Sequence, residues 1–566
     1  MSKRPLRSRE WFFEKEYYAF ARRAYLRSEG FNADIFEDKP VIGIANSWSE
    51  LNHCHRHLRE VAEAVKRGVW KAGGVALEFP TISLGEPFIK PTSMLLRNLM
   101  AMDVEECIRA YPLDGVVLLC GCDKTTPAQL MGAASVDIPA IVVPGGPALA
   151  SYWKNQKLGS GTDSRKLYDL YRIGRITEEE WCELEGAIAR SAGHCMVMGT
   201  ASTMTSLAEA LGMTLPGCAS IPAPDSRRLA VAEQSGARIV EMVGLDLRPS
   251  QILTRAAFEN AMTTLMALGG STNAVIHLVA IAGRLGIKLK LEEFDRASRR
   301  TPWLANIKPS GEFLMEDFFY AGGLPALMRE ILPLLDGACL TVNGRTIADN
   351  YASAPCHNRD VIRPLEAPLS SEGGIAVLYG NLCPRGAVIK QTAASPHLLR
   401  HRGRAFVFER YEQMKELIER EDLPVDENTV LVMKNCGPVG APGFPEWGHI
   451  PMPKVLLERG VTDVVRISDA RMSGTSFGTV VLHVAPESAV GGPLAAVRTG
   501  DEILLDVPNR KLELLVAPGE IERRLAAFTP PPPHYRRGYG KLFLDHVTQA
   551  DEGCDFDFLL PAPTPV

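Results

Sequence analysis

Three cysteines far apart in the chain, a small set of acidic and amine side chains, and one serine carry the chemistry this sequence can offer. Cys122 stands in Leu118-Leu119-Cys120-Gly121-Cys122-Asp123-Lys124-Thr125-Thr126-Pro127, between an apolar run that reads as a buried strand and a Thr-Pro helix start. Cys54 follows Asn52-His53, and Cys195 follows Gly193-His194. Glu86 lies in a Gly/Pro turn, and Glu446 lies in the loop Asn435 to Trp447. Thiolates suit soft or borderline metals, including iron–sulfur clusters, whereas Mg²⁺ prefers the oxygens of Glu86, Asp123 and Glu446. Three converging thiols would leave a cluster iron one ligand short of the usual set, free to act as a Lewis acid. Such an iron beside a hard cation suits the removal of hydroxide next to an acidified C–H bond.

Each feature also has a blander reading. A single cysteine after a strand is most often a small core residue. Lys124-Thr125 is not a phosphate loop, because Asp123 stands where that loop needs glycine. The turn Ser468 to Gly478, which carries Ser473, departs from a hydrolase nucleophile elbow at Arg471. The Gly269-Gly270-Ser271-Thr272-Asn273 turn is either an oxyanion-binding helix entry or simple packing.

The elements that must position these groups follow from periodicity. Val41 to Ala45, Val75 to Phe79, the run before Cys120, and Ile138 to Val143 read as strands, with helical patterns between them. That alternation predicts a parallel sheet, with the reactive turns on one edge. The apolar spacing of Leu58, Val61, Ala62, Val65 and Val69 puts Cys54 at a helix start, where a thiol is biased towards thiolate. Residues 151 to 190 read as a polar helical excursion on the surface. Near residue 370 the texture turns to short apolar runs broken by Gly and Pro, with a helix near 409 to 420. The fold class is therefore α/β, with a large N-terminal α/β domain over residues 1–372 and a smaller β-rich domain over 373–566. Pro530 to Pro533 reads as a stiff linker into the tail.

Composition narrows the class. The chain has 566 residues, 46% hydrophobic and 23% charged, with a formal charge of -5, so neither nucleic acid nor a membrane is an expected partner. Charges near Trp11 stand where a signal peptide needs an apolar stretch, and the 12 cysteines show no disulfide framework. A cytoplasmic setting is expected.

The chain resembles the dihydroxy-acid and sugar-acid dehydratase family, which includes 6-phosphogluconate dehydratase. The resemblance rests on Asn52 to Cys54, Pro80 to Glu86, Gly121 to Pro127, Gly193 to Thr203, Gly269 to Leu278, Gly380 to Lys390, Gly437 to Glu446 and Ser468 to Gly478. It extends through His483 to Glu487 and Gly491 to Pro493, so it spans nearly the whole chain. It implies a cluster-bearing α/β domain and a β-barrel-like domain that closes the site. Cys54, Cys122 and Cys195 would hold a [2Fe-2S] cluster. Glu86, Asp123, Glu446 and a carbamylated Lys124 would hold Mg²⁺. Ser473 would be the base, with Thr475 offering a hydroxyl to a polyol chain or making a turn hydrogen bond. A homodimer or homotetramer is implied as well.

Arg471-Met472-Ser473-Gly474-Thr475 and the tail Tyr539 to Phe558 resemble the sugar-acid branch, and within it the pentonate dehydratases of L-arabonate or D-xylonate. The expected reaction is dehydration of an aldonate to the 2-keto-3-deoxy acid. One alternative is dihydroxy-acid dehydration in branched-chain amino-acid synthesis. Another is a non-catalytic iron–sulfur sensor or electron carrier, a role that needs neither the carboxylate set nor Ser473. His53 and His55 are read either as exposed residues at a helix start or as contacts to cluster or substrate.

Overall fold

The computed structural model of the chain describes residues 5–12 and 15–561. Residues 1–4, on which part of the reading against a leader rests, lie outside the described residues. Strands β1 (Val41–Asn46), β2 (Val75–Pro80), β3 (Gly115–Cys120) and β4 (Ala140–Pro144) form one parallel sheet in the order β2-β1-β3-β4. Every residue of β1, β3 and β4 is buried, as parallel strands covered on both faces require. Helices Leu58–Lys71 and Ser226–Leu245 cross closely over this layer at two glycines. A Cβ on Gly68 would sit 1.9 Å from the Glu233 carbonyl oxygen, and one on Gly236 would sit 2.1 Å from that of Val65. No larger side chain fits either place.

The turns that carry the site leave the carboxyl ends of these strands. Cys54 follows β1, Glu86 follows β2, and Cys122 to Lys124 follow β3. The Cys195 loop hangs on the turn after β4, through a bridge between Pro147 and His194. After β4 comes a hairpin, β5 (Ser151–Trp153) with β6 (Gln156–Leu158), and then helices Thr162–Arg172 and Glu178–Ala187. The second helix begins with a capping box between Thr177 and Glu180. Residues 151 to 190 are not only a surface excursion, however, because Thr162 is buried and reaches Thr475.

The second half is a closed barrel. Its strands are β7 (Ala376–Gly380), β8 (Cys383–Ile389), β9 (Arg400–Phe408), β10 (Val430–Met433), β11 (Arg466–Ser468), β12 (Val480–Ala485), β13 (Glu502–Asp506) and β14 (Lys511–Leu515). They close in the order β10-β11-β12-β8-β7-β14-β13-β9. Ala387, Ile389, Ile467 and Val481 fill the barrel, while Val377, Val388, Met472 and Leu482 join the core of the α/β layer. This alternation along the strands lets one wall of the barrel serve two cores. β9 and β10 run parallel, as do β10 and β11, and the long connections after β10 and β11 bring Glu446 to Lys124 and Gly474 against Thr200.

The chain past Pro533 does not trail away. It packs back on the α/β domain, where Arg97 donates to the carbonyls of Gly553 and Cys554, and Tyr539 donates to that of Leu95. Arg284, fully buried, pairs with Asp555 at 2.6 Å and with Glu105 at 3.0 Å. Removing one partner of a buried pair strands the other charge, a cost of about 3–5 kcal/mol. Arg284→Met is expected to lower thermal stability by that order, measured by scanning calorimetry against wild type. Asp555→Asn, which leaves the guanidinium Glu105 as its only carboxylate among the described residues, should lower it by less.

Candidate functional site

The turn after β3 is held by a histidine 67 residues away. His55 is fully buried; its Nδ1 lies 2.7 Å from the Ser47 carbonyl, so it donates there, and its Nε2 accepts the Cys122 N–H at 2.9 Å. Burial pushes its pKa down to about 3, so the ring stays neutral and in this tautomer. Thr125 Oγ1 takes the same N–H at 3.0 Å. Neither reading of His55 from the sequence anticipated this: it is not exposed, and it braces the Cys122 backbone. His53 is half-buried, with Nε2 3.6 Å from Cys54 Sγ.

Cys54, Cys122 and Cys195 come together. The Cys54 thiol is raised well above its ordinary pKa, first by a hydrogen bond with Cys122 and by burial, then by the nearby charges of Cys122, Cys195 and Asp123. Burial, with Asp123 and Cys122 close by, pushes Cys195 up to about 12. The thiolate bias expected of Cys54 is therefore absent. The helix begins only at Leu58, so Cys54 lies beyond the reach of its N-terminal dipole, and burial beside other acidic groups keeps the protons on Cys54 and Cys195.

Beside them the acids surround an amine. Lys124 Nζ lies 3.2 Å from each of Glu86 Oε2, Asp123 Oδ2 and Glu446 Oε1, and its side chain is wholly buried. Burial works against the Lys124 charge, but Glu446, Glu86 and Asp123 outweigh it, and the net shift is upward. Burial would likewise raise Glu446, yet Lys124 and Arg471 bring it down to about 2. Glu86 is oriented by the Ser93 N–H at 3.0 Å, by Thr92 Oγ1 at 2.9 Å and by the Ser93 hydroxyl. Arg471 donates to Glu446 at 3.1 Å, to the Phe444 carbonyl at 2.8 Å and to Thr92 at 3.1 Å, tying the barrel loops to the Glu86 loop. Asn273 donates to Glu446 at 3.2 Å and to the Met472 carbonyl at 3.1 Å. The Gly269 to Asn273 turn thus joins the site through a side chain. Arg471 and Asn273 were not singled out as ligands of anything in the sequence, since each needs a partner more than 20 residues away.

Ser473 lies on the connection between β11 and β12. Its Oγ is 2.9 Å from Thr475 Oγ1, and the Thr475 carbonyl accepts from Thr162 Oγ1 at 2.7 Å. The loop is clamped tightly against the α/β domain: a Cβ on Gly474 would lie 2.5 Å from the Thr200 nitrogen and 2.7 Å from Ser271 Oγ. Gly161 has φ +75°, and a Cβ there would lie 2.2 Å from Thr475 Oγ1. Gly161→Ala is therefore expected to displace the Ser473–Thr475 pair and lower kcat on the order of 10²-fold. Steady-state kinetics alongside iron analysis checks this, with iron content expected to be unchanged.

A match over most of the chain decides the family. The model of the dihydroxy-acid/6-phosphogluconate dehydratase N-terminal domain matches residues 39–350, and its C-terminal counterpart matches residues 360–554. The chain belongs to this family. It is a dehydratase, a carbon–oxygen hydro-lyase. An L-arabinonate dehydratase of Rhizobium leguminosarum is 53% identical over 558 residues, covering 98% of this chain and 96% of that protein. A 6-deoxy-6-sulfo-D-gluconate dehydratase of Pseudomonas putida is 52% identical over 557 residues, with the same two shares. A dihydroxy-acid dehydratase of Methanothermobacter thermautotrophicus is 43% identical over 518 residues, covering 90% of this chain and 93% of that protein.

A dehydratase of this kind needs groups to receive the departing hydroxide and to steady a carboxylate, and the donor chemistry here suits both tasks. The Cys54 thiol meets that of Cys122 with Cys195 within electrostatic reach, and three carboxylates surround one cation. Among the described residues no three His, Cys, Asp or Glu side chains are already gathered closely enough to hold a metal ion. The centre of the carboxylate set is taken by the Lys124 ammonium, which supplies part of the positive charge a divalent ion would bring. No helix of the described residues is long and apolar enough to cross a membrane.

Proposed function

We propose that this enzyme dehydrates a sugar acid, a pentonate such as L-arabonate or D-xylonate, to the 2-keto-3-deoxy acid. The observation that carries the proposal is the meeting of three elements at one sheet edge: the Ser473–Thr475 pair, the three thiols and the carboxylate set around Lys124. Relatives named for L-arabinonate and sulfogluconate dehydration are 53% and 52% identical, against 43% for a dihydroxy-acid dehydratase, and this supports the sugar-acid branch.

In this reading Cys54, Cys122 and Cys195 hold a [2Fe-2S] cluster, and Glu86, Asp123, Glu446 and carbamylated Lys124 hold Mg²⁺. When bound, these groups supply Lewis acidity at the C3 hydroxyl and at the carboxylate with its C2 hydroxyl. Ser473 Oγ takes the C2 proton. A serine hydroxyl is a poor base in isolation, and the cations around this site favour its deprotonated form. Thr475 Oγ1 keeps the serine oxygen in one rotamer and can donate a hydrogen bond to it. Arg471 and Asn273 hold Glu446 in place from the other side. Loss of the C2 proton and the C3 hydroxide amounts to one water, and the enol left behind tautomerises to the ketone. The reading includes a homodimer or homotetramer and a cytoplasmic setting, in keeping with twelve free cysteines.

The test is anaerobic purification followed by side-by-side turnover of L-arabonate, D-xylonate, D-gluconate and dihydroxyisovalerate, read as 2-keto acid formed. At least tenfold higher kcat/KM on a pentonate than on dihydroxyisovalerate is expected. The reverse order would move the enzyme to the branched-chain pathway, and no turnover of any acid would favour the sensor or carrier.

A further inference from the structure

Four histidines, His53, His55, His57 and His194, stand on the loops of Cys54 and Cys195, and three of them serve the backbone. His55 Nε2 accepts the Cys122 N–H at 2.9 Å, His57 Nε2 donates to the Gly145 carbonyl at 2.8 Å, and His194 Nδ1 lies 3.2 Å from the Cys195 carbonyl. His53 is turned to a sulfur. Its Nε2 lies 3.6 Å from Cys54 Sγ, within the longer reach of a hydrogen bond to sulfur. The chain on both sides sets this place. Asn52, fully buried, accepts the Cys54 N–H on its side-chain oxygen at 3.2 Å, which fixes the turn that carries both residues. The His53 carbonyl accepts the Gly193 N–H at 3.4 Å, so the residue stands at the seam between the Cys54 loop and the Cys195 loop. Gly193 has φ +120° there, and a Cβ on it would lie 2.6 Å from the Ala148 nitrogen, so the seam is closed tightly.

The direction of the bond follows from the state of the cysteine. With a free thiol, either the Cys54 S–H or an Nε2–H of His53 serves as donor. A metal-bound thiolate has lone pairs and no proton, so once Cys54 is a ligand only Nε2–H can donate. Such a bond draws electron density from the sulfur. Hydrogen bonds to the sulfurs are among the terms that set the reduction potential of an iron–sulfur centre, and outer-shell partners are worth about 10–100-fold in metal affinity or activity.

We propose that His53 acts through Cys54: its Nε2–H donates to the cysteine thiolate in the cluster-bearing protein, raising the reduction potential of the centre and making its iron a stronger Lewis acid. The proposal rests on the cluster reading and deepens it. His53 is then a positioning residue, one that touches a ligand and not the substrate, and its effect falls on turnover more than on substrate affinity.

The experiment uses wild type, His53→Ala and His53→Gln, purified anaerobically and matched for iron and sulfide. Glutamine keeps an N–H donor at the end of its side chain, and alanine removes it. The midpoint potential, from a dye-mediated titration followed by electron paramagnetic resonance, is expected to move to a more negative value in His53→Ala and to return most of the way in His53→Gln. On the preferred sugar acid kcat should fall about tenfold in His53→Ala, with KM little changed. A second measurement needs no alanine variant: in protein labelled with 15N-histidine, electron spin echo modulation of the reduced wild type should show a weakly coupled histidine nitrogen that is missing from His53→Gln. A potential unchanged in His53→Ala with a full cluster overturns the proposal, as does a modulation unchanged in His53→Gln. Should His53→Ala fail to keep its cluster, the modulation decides alone. A wild type without iron and sulfide would overturn the cluster reading itself, and this proposal with it.

Discussion

Replacing Ser473 by alanine is expected to lower kcat on the preferred sugar acid by about 10³-fold, within the 10²–10⁴ range for loss of a positioned general base. Iron, sulfide and divalent-cation binding should stay at the wild-type level. The expectation follows from where the serine stands. Its neighbour Met472 shares Asn273 with Glu446, yet among the described residues the serine oxygen bonds no thiol or carboxylate, and its one side-chain partner is Thr475 at 2.9 Å. Removing its oxygen therefore leaves the cluster and cation sets intact and takes away only the proton acceptor. Solvent exchange of the C2 hydrogen, followed by NMR in deuterium oxide, separates this from a binding defect: it should vanish in Ser473→Ala. Normal turnover in a variant that kept both metals would remove the serine from the mechanism.

The second large effect concerns Lys124. Its ammonium is the hub of the carboxylate set at 3.2 Å from each acid, yet the proposed reaction needs a divalent ion in that neighbourhood. The two fit together when the amine is carbamylated, since the added carboxylate turns a competing cation into another oxygen donor. Lys124→Met is then expected to abolish measurable turnover and to weaken Mg²⁺ binding by more than the 10–100-fold that an outer-shell partner is worth. Its iron content should be normal. If Lys124 stays an ammonium instead, deleting it empties the centre of three acids, and Mg²⁺ should bind more tightly. Calorimetric titration with Mg²⁺, with and without bicarbonate during preparation, reads the sign directly.

Much of this site could be read from the chain because its parts sit on local signals. The run before Cys120 and the helix after it announce the Cys122 turn, and the glycines and prolines around Glu86 and Glu446 announce irregular loops. What escaped was set by distant packing. His55 reads as a helix-start residue, and only the arrival of β3 makes its ring the acceptor for Cys122. Arg471 registered as a broken hydrolase motif, whereas in space it ties Glu446 to the Glu86 loop. Thr162 and Gly161 lie in a polar stretch with no apolar stripe of their own, so nothing local marked them as the support of Thr475. β9 escaped as well, because Arg400, Arg402 and Arg404 alternate along one face that stays exposed, and its other face turns apolar only towards Phe408. The tail reads as a segment beyond a proline linker, and it is the buried Arg284 that draws it back.

The claim on which the rest depends is that Cys54, Cys122 and Cys195 together hold an iron–sulfur cluster. The most direct measurement is iron and acid-labile sulfide analysis of anaerobically purified wild type and Cys122→Ser, with electron paramagnetic resonance after dithionite reduction. Wild type should contain about two of each per chain and give the signal of a reduced [2Fe-2S] centre. Cys122→Ser should lose the signal and most of the iron while remaining folded. A wild type free of iron and sulfide yet active on a sugar acid, or a Cys122→Ser protein with its full cluster, would contradict the account.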